Sequence, residues 1–428
     1  MIESTIYIIL YVLKFIIPTI TILLGFIYID SKSQQLGKKK KSQENPEVTL
    51  IQNISDGIQA SQEYICKAVP HDKNSIVTRH QLSTCHELYE YEMRVPLNKK
   101  RIILPKGQWF NCYGCNTKVD TLHPVYVFSC IKCGLQFQKF RHFTRDLSDR
   151  VALVTGARTK LGHQILLKLL RAGAIVVGTT RYPLEAMQLF ERYSDFELWK
   201  KRINFYPNSM DLDKLDLIKD IKELENWLRT HFGRLDILVN CAAQTIRVRE
   251  KNKQIAVQKN RYGDAKFVTS DLSNSWQLKI HDLEQKEIEE VLRVNAVAPT
   301  ILIQQLIPLL QLSEISSGPY IINVHAKEGL FSTNKSGNHI HTNMAKAGLA
   351  MLTKCLLSSN LKTLKGKPFS IHGCDPGWFS IDEYYEDKRP WIIPPLDEID
   401  GAARILYPVF KNISSCGSTR RHFFKLCI

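Results

Sequence analysis

Two groups of residues have the types and spacing to do chemistry. Cys112 and Cys115, then Cys130 and Cys133, form two Cys-x-x-Cys knuckles separated by 14 residues. A knuckle turns tightly enough to aim two thiolates at one ion. Two knuckles complete a tetrahedron and leave no position for substrate, so the spacing predicts a structural zinc (Zn2+) site. The competing reading is a redox dithiol, but such motifs come singly beside a βαβ unit, and these come as a pair outside one. A closed metal site supplies folding energy rather than catalysis, and here would clamp the preceding stalk onto the remainder of the chain or present a docking surface. The second group is Thr155, Gly156, Arg158, Lys160 and Gly162, where an apolar run turns through a loop into a helical stretch. That layout lets phosphates meet the free amides at a helix N-terminus.

These residues need a scaffold, and from residue 149 onward the texture supplies one. Short β-rich apolar runs at 151–155, 174–179, 203–206, 235–240, 320–324 and 369–374 alternate with helical stretches at 161–172, 184–193, 215–231, 286–310 (interrupted at Pro299) and 343–359. Nearly continuous apolar strands alternating with helices predict a parallel sheet covered on both faces. The expected fold class is therefore α/β, a Rossmann-type doubly wound parallel sheet, with a small four-cysteine zinc module and an N-terminal transmembrane helix added. Residues 242–275 are polar and without period, a long loop of the kind that is functional or inserted.

Within this unit the chain resembles the short-chain dehydrogenase/reductase superfamily. Thr155, Gly156 and Gly162 match its T-G-x-x-x-G-x-G pattern, with Lys160 in place of the middle glycine. That lysine either crowds a phosphate or reaches it with its ammonium. Asp211 matches the family's adenine-contacting aspartate, and Asn240 opens the counterpart of its N-N-A-G stretch, here Asn240, Cys241, Ala242 and Ala243. Asn295 matches the asparagine of its active-site helix. Pro376 and Gly377 match the P-G segment after the sixth strand, with Ser380 placed for the nicotinamide end or the phosphates. The resemblance implies a dinucleotide cofactor. An acidic residue closing the second strand would hold a ribose 2′-hydroxyl and a basic one a 2′-phosphate; Arg181 stands there and Arg158 adds a second guanidinium, so NADP(H) is expected.

Family members activate a carbonyl with a serine and with the tyrosine of Tyr-x-x-x-Lys. Lys346 is in place, but Thr342 stands four residues before it, and the serine segment reads Asn323, Val324, His325 and Ala326. An aliphatic alcohol is too weak an acid to replace a phenol. Imidazole titrates near neutrality, so His341, with His325 and His339 as neighbours, is the candidate proton donor. The expected catalytic set is Asn295, Lys346 and His341.

The chain has 428 residues and a formal net charge of +16. Part of that charge lies in the run Lys38 to Lys41, which reads as a solvated stalk or a lipid-facing patch, so nucleic acid is not an expected partner. Residues 6–29 form an apolar run interrupted only by Lys14 and Pro18, long enough to span a membrane. The basic residues follow that run, which predicts a single-pass membrane protein with its globular part in the cytosol and its thiols reduced. The expected division is 1–45 anchor and stalk, 46–105 accessory region, 106–145 four-cysteine zinc module and 146–428 Rossmann domain.

Two functions remain open. One is a membrane-anchored NADP(H)-dependent oxidoreductase acting on a small carbonyl or alcohol, for which a lipid-like substrate suits the membrane setting. The other is a cofactor-binding scaffold or sensor without turnover that docks a partner through its zinc module. A homo-oligomer is implied only by the resemblance, through the helices at 286–310 and 343–359.

Overall fold

A computed structural model describes residues 102–104, 106–244, 256–259, 265–267, 278–379 and 394–413. All of them belong to the unit Val69–Ile428. The expected span at 6–29, and Ser380, lie outside the described residues.

The cysteine module comes first. Two small antiparallel pairs, β1 (Ile102–Ile103) with β4 (Thr121–Leu122) and β2 (Phe110–Asn111) with β3 (Lys118–Val119), carry the first knuckle in the β2–β3 turn. The second knuckle runs straight into helix α1 (Ile131–His142), whose N-cap is Cys130. The sequence reading places no helix in this segment.

Six parallel strands follow: β5 (Val151–Thr155), β6 (Ile175–Thr179), β7 (Ile203–Phe205), β8 (Ile237–Asn240), β11 (Tyr320–Val324) and β12 (Ser370–Cys374), in spatial order β12-β11-β8-β5-β6-β7. Several begin or end a residue or two inside the expected limits, where the last paired residue gives way to a turn. The chain winds outward from β5 to β7 and then restarts at β8 in the opposite direction, so the direction switches between β5 and β8. In such sheets the crevice beyond the carboxyl ends at this switch point is where ligands bind.

Strand residues are buried on both faces, with alternate residues feeding two cores. Ala152, Val154, Ile322 and Val324 pack with α2 (Lys160–Arg171) and with α9 (Glu398–Lys411). Leu153, Val177, Leu238 and Ile321 pack with α5 (Leu217–Phe232) and α7 (Ala298–Gln311). Between them the shorter helices α3 (Pro183–Phe190) and α4 (Phe196–Trp199) follow β6. Local signals set these helices. The carboxylate of Asp216 accepts the Lys219 amide and Gly233 closes α5 at φ +72°, as caps do. Asp397 and Asp400 form a reciprocal capping box on α9.

Two expectations are corrected. Helix α6 (Gln285–Leu292) is not interrupted at Pro299. It passes through a π turn, Arg293–Val297, into α7, and the wider turn just before Pro299 accommodates a residue that donates no N–H. Within 242–275, which reads as a loop, Ala256–Lys259 (β9) and Ala265–Phe267 (β10) pair as an antiparallel hairpin with an irregularity between Lys266 and Phe267. The continuous rod Gln285–Gln311 is, among the described residues, long and apolar enough to cross a membrane by length and composition, but half of its apolar stretch is buried inside the protein. Helix α8 (Ile340–Ser358) packs beside it.

Candidate active site and metal centre

The loop after β5 is shaped by close approach. Gly156 adopts φ +69°, and a Cβ there would stand 2.8 Å from the Ala242 Cα. A Cβ on Gly162 would meet the Gly156 carbonyl oxygen at 2.2 Å, so only glycine lets α2 come this near the loop. Lys160, at the expected middle glycine, is held at φ +50°. The position still demands the left-handed conformation, and a lysine adopts it at a cost of roughly 1–2 kcal/mol. Thr155 faces inward: its Oγ1 accepts the amides of Cys241 and Ala242, both at 3.0 Å, and so ties β5 to the segment after β8.

At the end of β6, Arg158 and Arg181 converge on one ring. Their guanidinium carbons lie 5.2 and 5.6 Å from the Tyr182 centroid, although they are 23 residues apart in sequence. Asp211 is half-buried, and its carboxylate pairs at 3.5 Å with the exposed Lys214.

Beyond β8 and β11 the polar groups are linked. Asn240 Nδ2 donates to Asn323 Oδ1 (2.8 Å), Asn323 Nδ2 to Thr353 Oγ1 (2.9 Å), and His325 Nε2 lies 3.0 Å from that same hydroxyl. Because Thr353 Oγ1 donates to the Leu349 carbonyl, it can only accept from His325, which fixes the Nε2–H tautomer. Burial, and then the nearby Lys346, push the His325 pKa down to about 3. The π turn presents Asn295 to the loop after β8, where its Oδ1 accepts the Gln244 amide (2.9 Å) and its Nδ2 donates to the Gln244 carbonyl (2.6 Å).

Lys346 is buried on α8 and donates to the Val324 carbonyl at 2.9 Å. Burial lowers its pKa, while Cys241, Asp375 and Glu328 work in the other direction. Thr342 lies one helical turn before it and is also buried. His341 is fully buried. Both its ring nitrogens lack a hydrogen bond among the described residues, which is uncommon for a buried imidazole. Burial holds its pKa below the usual value and Glu287 opposes the shift, so the ring is neutral at neutral pH. Pro376 and Gly377 follow β12, with the Gly377 amide donating to Asp375 Oδ1 at 2.6 Å.

The structure thus draws Asn240, Asn295, Lys346 and the Asp375–Gly377 turn to the carboxyl ends of the central strands. Arg158 and Arg181 gather at the β6 end. Sequence reasoning does not single out Asp375, Cys241 or Tyr182. The signal for Asp375 is its place immediately before Pro376 and Gly377. For Cys241 it is the place directly after Asn240; the thiol is pushed up to about 12 by burial and opposed by Lys346.

The four cysteines come together. Their Sγ atoms lie within 4.8 Å of one another, the one such cluster among the described residues, and all four are free thiols. Cys115 and Cys130 Sγ are 3.9 Å apart. A tetrahedron with metal–sulfur bonds of about 2.3 Å has edges of about 3.8 Å, whereas a disulfide needs about 2.05 Å. Backbone amides already point at sulfur, Cys130 N to Cys112 Sγ (3.2 Å) and Cys133 N to Cys130 Sγ (3.4 Å). Hydrogen bonds from Thr117 pull the Cys115 thiol down to about 6, while burial pushes Cys130 and Cys133 up. A cation at the centre would reverse the upward shifts, so the donor set fits a metal ion.

A family model described as short chain dehydrogenase matches residues 150–380. The chain belongs to the short-chain dehydrogenase family. An uncharacterized protein of Acanthamoeba polyphaga mimivirus is 36% identical over 355 residues, covering 74% of each chain. Salutaridine reductase of Papaver somniferum is 30% identical over 191 residues, 42% of this chain and 55% of that one, and (+)-neomenthol dehydrogenase of Capsicum annuum is 28% identical over 196 residues, 43% and 58%. The chain spans little more than half the length of these plant relatives. A metagenomic short-chain oxidoreductase solved in complex with NADP shares 20% identity at a TM-score of 0.43, covering 63% of this chain and 95% of that one.

Proposed function

We propose that this short-chain dehydrogenase is an NADP(H)-dependent oxidoreductase acting on a carbonyl or alcohol, carried on a membrane by residues 6–29 with its globular part cytosolic, and braced by a structural Zn2+ on Cys112, Cys115, Cys130 and Cys133. The observation that carries the reading is the buried Lys346, fixed on the Val324 carbonyl at the switch-point crevice. It stands within the electrostatic reach of Asp375 and Cys241. When bound, the cofactor supplies or takes up the hydride. Thr155, Gly156 and Gly162 shape the phosphate loop, and Lys160 and Ser380 add polar groups for the phosphates. Asp211 faces the adenine, and the turn at Pro376 and Gly377 faces the nicotinamide end. Arg158 and Arg181, converging on Tyr182, provide two cations for a 2′-phosphate.

In this reading Thr342 and Ala326 occupy the positions of the family's tyrosine and serine. Proton exchange then falls to His341, which adjoins Thr342 in sequence and whose two ring nitrogens have no hydrogen-bond partner among the described residues. Exposed Phe331 and Trp378 follow β11 and β12, and apolar side chains there suit a lipid-like substrate. Val297, Met344 and Met351 leave apolar surface on the π turn and α8, in keeping with a homodimer.

Fluorescence titration of the purified full chain tests the cofactor assignment. NADPH should bind more tightly than NADH. Arg158→Ala and Arg181→Ala should each weaken NADPH by about tenfold, the scale of a charge-assisted contact of about 1.5 kcal/mol, and leave NADH unchanged. A protein that carries no NADPH through a desalting column loses the reading altogether. The scaffold reading is favoured by one observation, the complete burial of His341. It prevails if NADPH binds but is not oxidised by any of a panel of carbonyls, and if His341→Ala leaves both properties unchanged.

A further inference from the structure

The first knuckle does more than hold its two cysteines. Tyr113 lies between them, and its hydroxyl accepts the backbone amide of Trp378 at 2.9 Å, 265 residues further along the chain. The hydroxyl also closes over Gly377, where a Cβ would stand 3.0 Å from it and 2.7 Å from Leu396 Cδ1. Gly377 has φ +79°, so the turn that follows Asp375 and Pro376 has a conformation few other residues could hold. Around this contact, Tyr113, Cys133 and Phe137 of the module form one apolar cluster with Phe379 and Leu396. Farther out, Arg141 and Tyr126 of the module bind Asp400 at the start of α9. The Trp378 carbonyl accepts the Leu396 amide at 3.2 Å. The turn beside the nicotinamide end is therefore held from outside the sheet, by a side chain whose backbone is fixed by the metal knuckle.

The geometry points to Tyr113 as a positioning residue for the cofactor turn, through which metal binding at the four cysteines and dinucleotide binding at the crevice are linked. The inference rests on the dinucleotide reading above. Metal restricts the backbone from Cys112 to Cys115 and so the reach of the Tyr113 hydroxyl. The hydroxyl selects the Gly377–Trp378 conformation that the cofactor meets. Coupling of this kind is reciprocal, so cofactor must in turn tighten metal retention.

The test is Tyr113→Phe in the full chain, which keeps the ring in its apolar cluster and removes only the acceptor. Two quantities are read on metal-replete protein: amide hydrogen exchange at Trp378, and NADPH affinity by fluorescence titration. The expected result is faster exchange at Trp378 and NADPH affinity lower by about three- to tenfold, the range for one lost hydrogen bond, with zinc content unchanged. Chelation of the wild type should lower NADPH affinity by a similar factor, and chelation of the variant should add little. Faster Trp378 exchange with unchanged NADPH affinity overturns the linkage while leaving the dinucleotide site intact. Unchanged exchange overturns the positioning role itself. A wild type that binds no NADPH overturns the dinucleotide reading first, and is recognised from the unmutated protein alone.

Discussion

Two buried histidines carry a pH signature at the scale of single residues. His325 is held down to about 3 and His372 to about 4, in both cases mainly by burial. In the unfolded chain each imidazole takes its proton near pH 6.5. The unfolded state therefore binds more protons than the native one across the interval between, and stability falls as pH drops. The contribution is complete above pH 6.5 and is lost as the pH falls towards about 4 and then about 3. At pH 5 each histidine should have removed about 2 kcal/mol. Urea midpoints at pH 8 and pH 5 measure the loss, and His325→Gln should reduce it by about 2 kcal/mol; an unchanged difference would mean that the ring already titrates in the native protein. Sequence makes the residue types legible here but not their states. His341 reads as a candidate acid beside Lys346, yet nothing in its neighbours along the chain reveals that it lies fully buried on α8 near Glu287. Lys160 reads as a departure from a glycine pattern. Only its backbone shows that the left-handed conformation survives the change of residue.

At the scale of elements, the strands are the easiest part to read, because a strand covered on both faces must be a continuous apolar run whatever its partners. Helix α9 is harder. Its apolar positions Ile405, Leu406, Val409 and Phe410 follow a polar start and the pair Pro394 and Pro395, and the signal that could have found it is the Asp397…Asp400 capping box. The π turn reads as a break in sequence because Pro299 normally ends a helix; the wider turn before it removes that conflict. Helix α1 and helix α9 meet through Arg141, whose Nη1 lies 2.7 Å from Asp397 Oδ1 and 2.9 Å from Asp400 Oδ1. The guanidinium is only 2% exposed, so its removal leaves carboxylates buried without their cation. Arg141→Met should cost about 3–5 kcal/mol. Adding Asp397→Asn and Asp400→Asn to that variant should recover part of the loss. A denaturant midpoint that does not move in the single variant would show that the junction is not held by charge.

At the scale of the whole molecule, residues that are far apart in sequence make the joint between module and sheet, which is why the two look separable in sequence. Tyr126 reaches Asp400 across 274 positions, and Tyr113 reaches Trp378 across 265. Composition and period see only near neighbours. The span expected at 6–29 belongs to this scale too. Full-length protein should sediment with phosphatidylcholine vesicles and resist carbonate extraction, and a chain lacking the first 45 residues should stay in the supernatant. Retention of the shortened chain on vesicles would move the membrane contact into the globular part.

The Arg141 junction has a consequence for biosynthesis. The ribosome releases the knuckles and α1 long before it makes Asp397, which follows Arg141 by 256 residues. The Arg141 guanidinium is then exposed to solvent and without its carboxylates for most of translation, while the four cysteines are complete from the moment Cys133 emerges. On the proposed zinc assignment, metal can be captured before Asp397 exists, and the Arg141 junction can form only afterwards. Cells starved of zinc during expression should accumulate this protein in the insoluble fraction, and zinc restored only after synthesis should recover little of it.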